Sequence, residues 1–300
     1  MKINCPNLKC ASLSDTGPKT RPIVLNGTFY RKSDSQYIKR YNCRNCNRYF
    51  SNATNNPACW QKKRRINEPL KLLLCSGVSQ RRAAQILKIN PKTVVRHFRY
   101  LSHQAQLEQK IWLDRYKKTP VSSIQFDDLE TSEHSKCRPL SVSLAIETKT
   151  RKILNFQVSQ MPAKGLLVHK AYKKYGPRKD LRARGWDEMM KTLRPYVNKN
   201  ATWTSDENPH YPKYLIRYHP KAKHFRVKGG RGAVTGQGEL KKLKFDPLFS
   251  LNHTCAMLRA NLNRLFRKTW CTTKNKQGLI DHLAIYITYH NKVLTEQSAI

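Results

Sequence analysis

Acidic side chains are scarce in this 300-residue chain, with 19 Asp and Glu against 58 Lys and Arg and a formal net charge of +39. So few acids exclude a surface balanced by ion pairs. Divided after Phe126, the first part holds 25 basic and 5 acidic residues and the remainder 33 and 14, an excess of +20 and +19. That even division excludes a neutral enzyme carrying a basic tail, and predicts a surface shaped to meet a polyanion, DNA or RNA. Also missing is any apolar run approaching the length of a spanning helix, and Met1 to Leu8 lacks the apolar core of a signal peptide. A soluble cytoplasmic protein with no membrane partner is expected. In that compartment the nine cysteines favour metal ligation or burial over disulfides.

Against this background four acids fall within seven positions, at Asp127, Asp128, Glu130 and Glu133. Ser122 to Phe126 carries β-branched and aromatic members and reads as a strand that delivers Asp127 to its end. A carboxylate so placed suits a hard divalent cation, Mg²⁺ or Mn²⁺. An acidic loop tip pairing with surplus Lys and Arg is the alternative.

At the amino terminus, Cys5-Pro-Asn-Leu-Lys-Cys10 and Cys43-Arg-Asn-Cys46 form two close pairs. Two facing knuckles would place four thiolates in a tetrahedron, a structural zinc site. Turn signals beside short β-prone runs between the pairs fit a zinc ribbon, and so short a module would draw much of its folding energy from the metal. The remaining cysteines lack such partners. Gln61 to Arg65 follows as a basic linker that either lies along phosphates or is a solvated charge run.

From Asn67 the apolar pattern turns helical. Asn67 caps a first helix that ends at Ser76-Gly77, Ser79 caps a second, and Asn90-Pro91 opens a third. The apolar side of that third helix includes Val94, Val95 and Phe98, and its polar side Lys92, Thr93, Arg96, His97 and Arg99. This is the layout of a helix-turn-helix that enters the major groove of double-stranded DNA, with Arg81 and Arg82 of the second helix also available to DNA. Leu101 to Tyr116 continues as helix.

After Pro120 three β-prone runs, Ser122 to Asp128, Leu140 to Glu147 and Ile153 to Ser159, make a meander. A basic insertion at about 162–186 includes Lys170 to Arg184, with seven basic residues and one acid, and suits a DNA-facing element better than a core one. Trp186 to Val197 reads as a helix, Ala201 to Asp206 as a strand ending in an acid like the first, Pro209 to Tyr218 as a helix and His224 to Val227 as a strand. Glycines between Gly229 and Gly238 mark a loop. Leu248 to Lys268 gives the clearest helical period, with Leu251, Cys255, Leu258, Leu262 and Phe266 on one stripe. Asn252, Ala256, Arg259, Asn263 and Arg267 make a polar stripe beside it. Leu279 to Lys292 closes the chain as a helix. The expected class is α+β multidomain: a small β zinc ribbon over 1–60, an all-α helix-turn-helix and linker helix over 61–118, and an α/β domain over 119–300.

With the two cysteine pairs ahead, this order resembles the DDE-type transposases of bacterial insertion sequences, closest to the insertion-sequence-one type, whose catalytic domain is RNase H-like. The residues carrying it are Phe126-Asp127-Asp128, Thr204-Ser205-Asp206, Leu251-Asn252-His253 through Leu258-Arg259, and Asn263 through Thr269. The resemblance implies catalytic roles for Asp127 and Asp206, with Asp128 as a neighbouring noncatalytic acid. It also implies a third acid on the long helix, where this chain has Asn252. Glu239 competes for that role, and a degenerate site is the third option. It further implies two Mg²⁺ or Mn²⁺ ions for cleavage and strand transfer, and phosphate contacts from Arg259, Arg264, Arg267 and Lys268. Binding to terminal repeats and target DNA as a homodimer or larger assembly, and a bacterial, nucleoid-associated location, complete the expectation. A noncatalytic DNA-binding regulator and an RNase H-like nuclease without strand transfer are the other readings.

Overall fold

A computed structural model describes residues 3–10, 22–32, 35–54, 56–228, 246–266 and 272–294. The chain divides into two compact units, 1–69 and 70–300. The architecture is mixed α and β with two separate sheets.

In the first unit β1 (Ile23–Arg31), β2 (Gln36–Cys43) and β3 (Tyr49–Ser51) form an antiparallel sheet in that order. Its buried cluster is small, namely Cys5, Cys10, Tyr41, Cys43 and Phe50. So little apolar area leaves the fold dependent on something besides packing. The basic linker does not run free: Arg64 donates to the backbone oxygens of Gln61 and Cys59 at the start of a short 3₁₀ turn, Arg64–Ile66.

Helix α1 (Asn67–Leu74) straddles the unit boundary, and α2 (Gln80–Ile86) and α3 (Pro91–Asp114) follow it. Two of the three expected caps form, while Asn67 does not cap: it is itself helical at φ −59°, ψ −52°, and its amide donates to Gln61 Oε1. Ser79 accepts from Arg82 N, Asn90 accepts from Lys92 N, and Pro91 occupies the first turn of α3, each satisfying or removing an orphan donor. Gly77 ends the first helical stretch at φ +76°, where a Cβ would lie 2.9 Å from the Phe266 ring, so glycine is required there for conformation and for space.

The face of α3 differs from expectation. His97 is 4% exposed while Val95 is 38% exposed, so His97 leaves the polar side and Val95 joins it. Tertiary packing decides this, because Val94, Phe98, Leu101 and Ala105 point into a core shared with the last helix. The carboxy-terminal half of α3 is tied down as well: Ser102 Oγ donates to Asp281, Thr288 Oγ1 to the Ala105 carbonyl, and Gln109 to the carbonyls of Ile153 and Leu154.

The second sheet has the order β6-β5-β4-β7-β8. It comprises β4 (Val121–Ser132), β5 (Pro139–Glu147), β6 (Ile153–Gln160), β7 (Val197–Asp206) and β8 (Lys223–Val227). The first three form the expected antiparallel meander, and β7 and β8 add parallel strands beside β4. Between β6 and β7 lie α4 (Leu167–Tyr175) and α5 (Arg182–Leu193), and between β7 and β8 lies α6 (Tyr211–Tyr218). Alternation along β4 sends Phe126 and Asp128 to one face and Gln125, Asp127 and Leu129 to the other. Phe126 packs with Trp186 of α5, Trp203 and Tyr211 of α6 at ring separations of 5.5, 5.5 and 5.0 Å. Leu129, Val142 and Leu144 join the cluster formed with α1 to α3, α7 (Phe249–Asn261) and α8 (Lys276–Tyr289).

Two expected boundaries are corrected. β4 does not stop at Asp127, since its pairing with β5 continues to Ser132 opposite Pro139. The long helix ends at Asn261 rather than Lys268, with Leu262 extended and a 3₁₀ turn at Asn263–Leu265. Partners from distant sequence intervene there. Gly77 N donates to the Asn261 carbonyl at 2.7 Å, and the Asn261 amide donates to Met257 O and Tyr286 Oη. No described helix is long and apolar enough to cross a membrane.

Candidate functional site

The four amino-terminal cysteines come together as their spacing predicts. Cys5 and Cys46 Sγ are 3.6 Å apart, Cys10 and Cys43 Sγ are 3.6 Å apart, and all four sulphurs lie within 4.8 Å of one another. A tetrahedral zinc with bonds of about 2.3 Å separates its sulphurs by roughly 3.8 Å, so the spacing fits. The turn Cys10 N to Asn7 O and the bond Cys43 N to Arg48 O shape the two knuckles. Burial, with the neighbouring thiols adding to it, pushes the Cys5 thiol up to about 12. Losing a proton there is unfavourable without a cation, and a bound metal reverses that.

The crowded acids of β4 separate by strand parity and partner. Glu133 is taken up by Arg138 and Arg178 and accepts from Lys276 N, and Glu130 pairs with Lys164. Asp128 accepts from Ser141 Oγ at 2.5 Å and Ser143 Oγ at 2.8 Å on Oδ1. On Oδ2 it accepts from Trp186 Nε1 at 3.0 Å and Tyr211 Oη at 3.4 Å. Three full donors and a share of the one Tyr211 proton occupy its acceptor positions, which leaves no open lone pair for a cation.

Asp127 is different. β7 runs parallel to β4, pairing as far as Gln125 opposite Thr204; continued two steps along both strands, that register leads to Asp127 and Asp206 on the same face, and the charge of Asp206 acts on Asp127. Both residues are partly buried. The Asp127 carboxyl is pushed up to about 6, first by burial and then by the negative charge of Asp206, while hydrogen bonds from Asp128 N and Tyr211 Oη act in the opposite direction. Those two donors, at 2.7 and 3.0 Å, both fall on Oδ1. Asp206 Oδ1 accepts from Asn208 N at 3.1 Å. Two like-charged carboxyls held together against their electrostatic preference form a site whose energetics a cation improves.

Asn252 is not gathered into this pair. It is exposed and donates to Asp246 Oδ2 at 2.8 Å, and Asp246 also accepts from Leu248 N where α7 begins. Gln125 fixes the helix, donating to Pro247 O and accepting from Leu251 N, both at 2.9 Å. The α7 residue whose environment includes the Asp127 charge is Cys255, which is raised to about 12 chiefly by burial, with Arg259 acting in the lowering direction. Glu239, Arg267 and Lys268 lie outside the described residues. Among the described residues the four cysteines are the one group of three or more His, Cys, Asp or Glu close enough to share an ion.

On the helical face, Arg81, Arg82, Lys92, Arg96 and Arg99 are exposed and Thr93 half-buried. Arg259 lines a groove of about 740 Å³ with Lys136, Lys164 and the end of β4. Arg264 is placed elsewhere than expected. Its guanidinium stacks over the Phe98 ring at 5.7 Å, and burial lowers its pKa, so it serves packing.

Sequence reasoning passed over Gln125, Trp186 and Tyr211. Gln125 lies two residues from Asp127, but its partners Pro247 and Leu251 come from a distant segment, and Trp186 reaches Asp128 from α5, four elements further along the chain. Tyr211 carried one usable signal, a tyrosine opening the helix that directly follows the strand ending in Asp206. Neither a scan against protein-family models nor a search of curated proteins finds a match to this chain.

Proposed function

We propose that the chain is a DDE-type transposase of the insertion-sequence-one kind, binding the ends of its element and carrying out Mg²⁺-dependent phosphodiester cleavage and strand transfer. One observation carries the reading: β4 and β7 run parallel in register up to Gln125 opposite Thr204, and Asp127 and Asp206 follow two residues later on each strand. The three-strand meander, two added parallel strands and covering helix in an RNase H-like order support it.

Asp127 and Asp206 would hold the cation, their oxygens suiting Mg²⁺ or Mn²⁺. When bound, it supplies the positive charge that activates water or a DNA 3′-hydroxyl and steadies the departing oxygen. The protein does the positioning. Gln125 anchors α7 to β4, the exposed cations of α2 and α3 hold duplex phosphates and base edges, and Arg259 offers charge beside the groove at the end of β4. The ribbon would be zinc-stabilised and contribute to end binding, and joining two ends calls for at least a dimer.

A noncatalytic DNA-binding regulator is the second reading. It is favoured by Asn252 facing Asp246 rather than the aspartate pair, and by the lack, among the described residues, of a third His, Cys, Asp or Glu ligand atom close enough to share an ion with that pair. Incubating wild type, Asp127→Ala and Asp206→Ala with Mg²⁺ and DNA from the flanks of the coding region separates the two. Nicking and joining by wild type alone is the expected result. Equal products from all three proteins, or DNA binding without products from any, overturns the catalytic reading.

A further inference from the structure

Asp128 cannot take a cation, yet it sits at the centre of the most fully bonded polar group near the site. Its donors are buried: Ser141 and Ser143 are 0% exposed, Tyr211 1% and Trp186 2%. A half-buried carboxylate that engages four buried donors holds each of them in place. Tyr211 is the one donor that also touches Asp127. Its single proton lies between Asp127 Oδ1 at 3.0 Å and Asp128 Oδ2 at 3.4 Å, nearer the first.

The consequence falls on Asp127. Oδ1 already receives the Asp128 N–H at 2.7 Å and the Tyr211 hydroxyl at 3.0 Å, which uses both of its lone pairs. Among the described residues, no donor reaches Oδ2. We propose that Tyr211, anchored by Asp128, is a positioning residue that closes Oδ1 of Asp127 and leaves Oδ2 as the oxygen offered to a divalent cation, so that the resting site takes one ion rather than a bridged pair. This rests on the proposed cation-binding role of Asp127. It also departs from the two ions implied by the resemblance, since a carboxylate that holds two ions by one oxygen each needs both oxygens.

The test uses Mn²⁺ as the probe, added to the full zinc-loaded chain and read by electron paramagnetic resonance and by the number of ions bound. Wild type is expected to bind one Mn²⁺ at this site with a single-ion spectrum, and Asp127→Asn to lose it. Tyr211→Phe removes one hydroxyl from a buried ring, reopens a lone pair on Oδ1, and is expected to take a second ion with a spin-coupled spectrum. A coupled pair in wild type, or a Tyr211→Phe spectrum and stoichiometry identical to wild type, overturns the positioning role. Wild-type binding that Asp127→Asn leaves untouched overturns instead the cation-binding reading beneath it. Should Tyr211→Phe fail to fold, Asp128→Asn, which loosens the anchor while keeping the shape, is expected to move the spectrum in the same direction, and an unchanged spectrum again overturns the proposal.

Discussion

Replacing Asp127 by asparagine should stabilise the protein at neutral pH in the absence of divalent ions, and the size of the gain follows from the site. The Asp127 carboxyl is raised from 3.8 to about 6. A shift of about two units corresponds to about 3 kcal/mol of differential interaction, at about 1.4 kcal/mol per unit. The sign is that of a raised group: the folded state binds the proton more tightly than the unfolded chain. The favourable contribution is therefore complete below about pH 4 and lost as pH climbs through 6. Because Asp127 is partly exposed, solvent reduces the figure, and about 1–3 kcal/mol is the expected range. Urea unfolding of wild type and Asp127→Asn at half-unit intervals from pH 4 to 7.5, in chelator-treated buffer with zinc retained, reads it directly. The two proteins should be nearly equal at pH 4, with Asp127→Asn pulling ahead towards pH 7.5, and Mg²⁺ should then restore wild type but not the variant. A difference that stays constant across the range would refute the reasoning.

The ribbon and the sheet give two further outcomes. Removing zinc with a strong chelator, or replacing Cys43 by serine, should unfold residues 1–69 while leaving the second sheet protected in amide hydrogen exchange, because the small cluster around Tyr41 and Phe50 cannot hold the strands without the metal; uniform protection after chelation would contradict this. In α5, a Cβ on Gly185 would lie 2.2 Å from Ser159 Oγ and 3.5 Å from Ser159 Cβ, so Gly185→Ala should cost roughly 1–3 kcal/mol, checked by thermal unfolding and relieved in the Gly185→Ala, Ser159→Ala double variant.

Much of this fold is legible in local chemistry. The cysteine pairs, the Ser79 cap and the Asn90-Pro91 helix start are short-range signals, and each forms as the sequence indicates. Asp127 and Asp206 are legible as acids late in β-prone runs. What is not legible is set by parity and by distant partners. Asp127 and Asp128 are adjacent and chemically identical, and one is saturated while the other is open because Ser141, Ser143 and Trp186 reach only one face of β4. The apolar stripe of α7 runs on to Phe266, yet the helix stops at Asn261 because Gly77 takes its carbonyl. His97 looks like a reader side chain, yet it lies on the buried side of α3 with Val94, Phe98 and Leu101.

Helix α3 runs for 24 residues without a break, about 36 Å at roughly 1.5 Å per residue. Its first turns carry Lys92 and Arg96, and its last half is tied to the last helix through Ser102 and to the sheet through Gln109. No swivel separates the end that would grip a duplex from the strands that hold the aspartates. Under the proposed function such a strut acts as a caliper, so the offset between the gripped base pairs and the severed bond is a dimension of the protein, and DNA of the wrong span must bend to meet it.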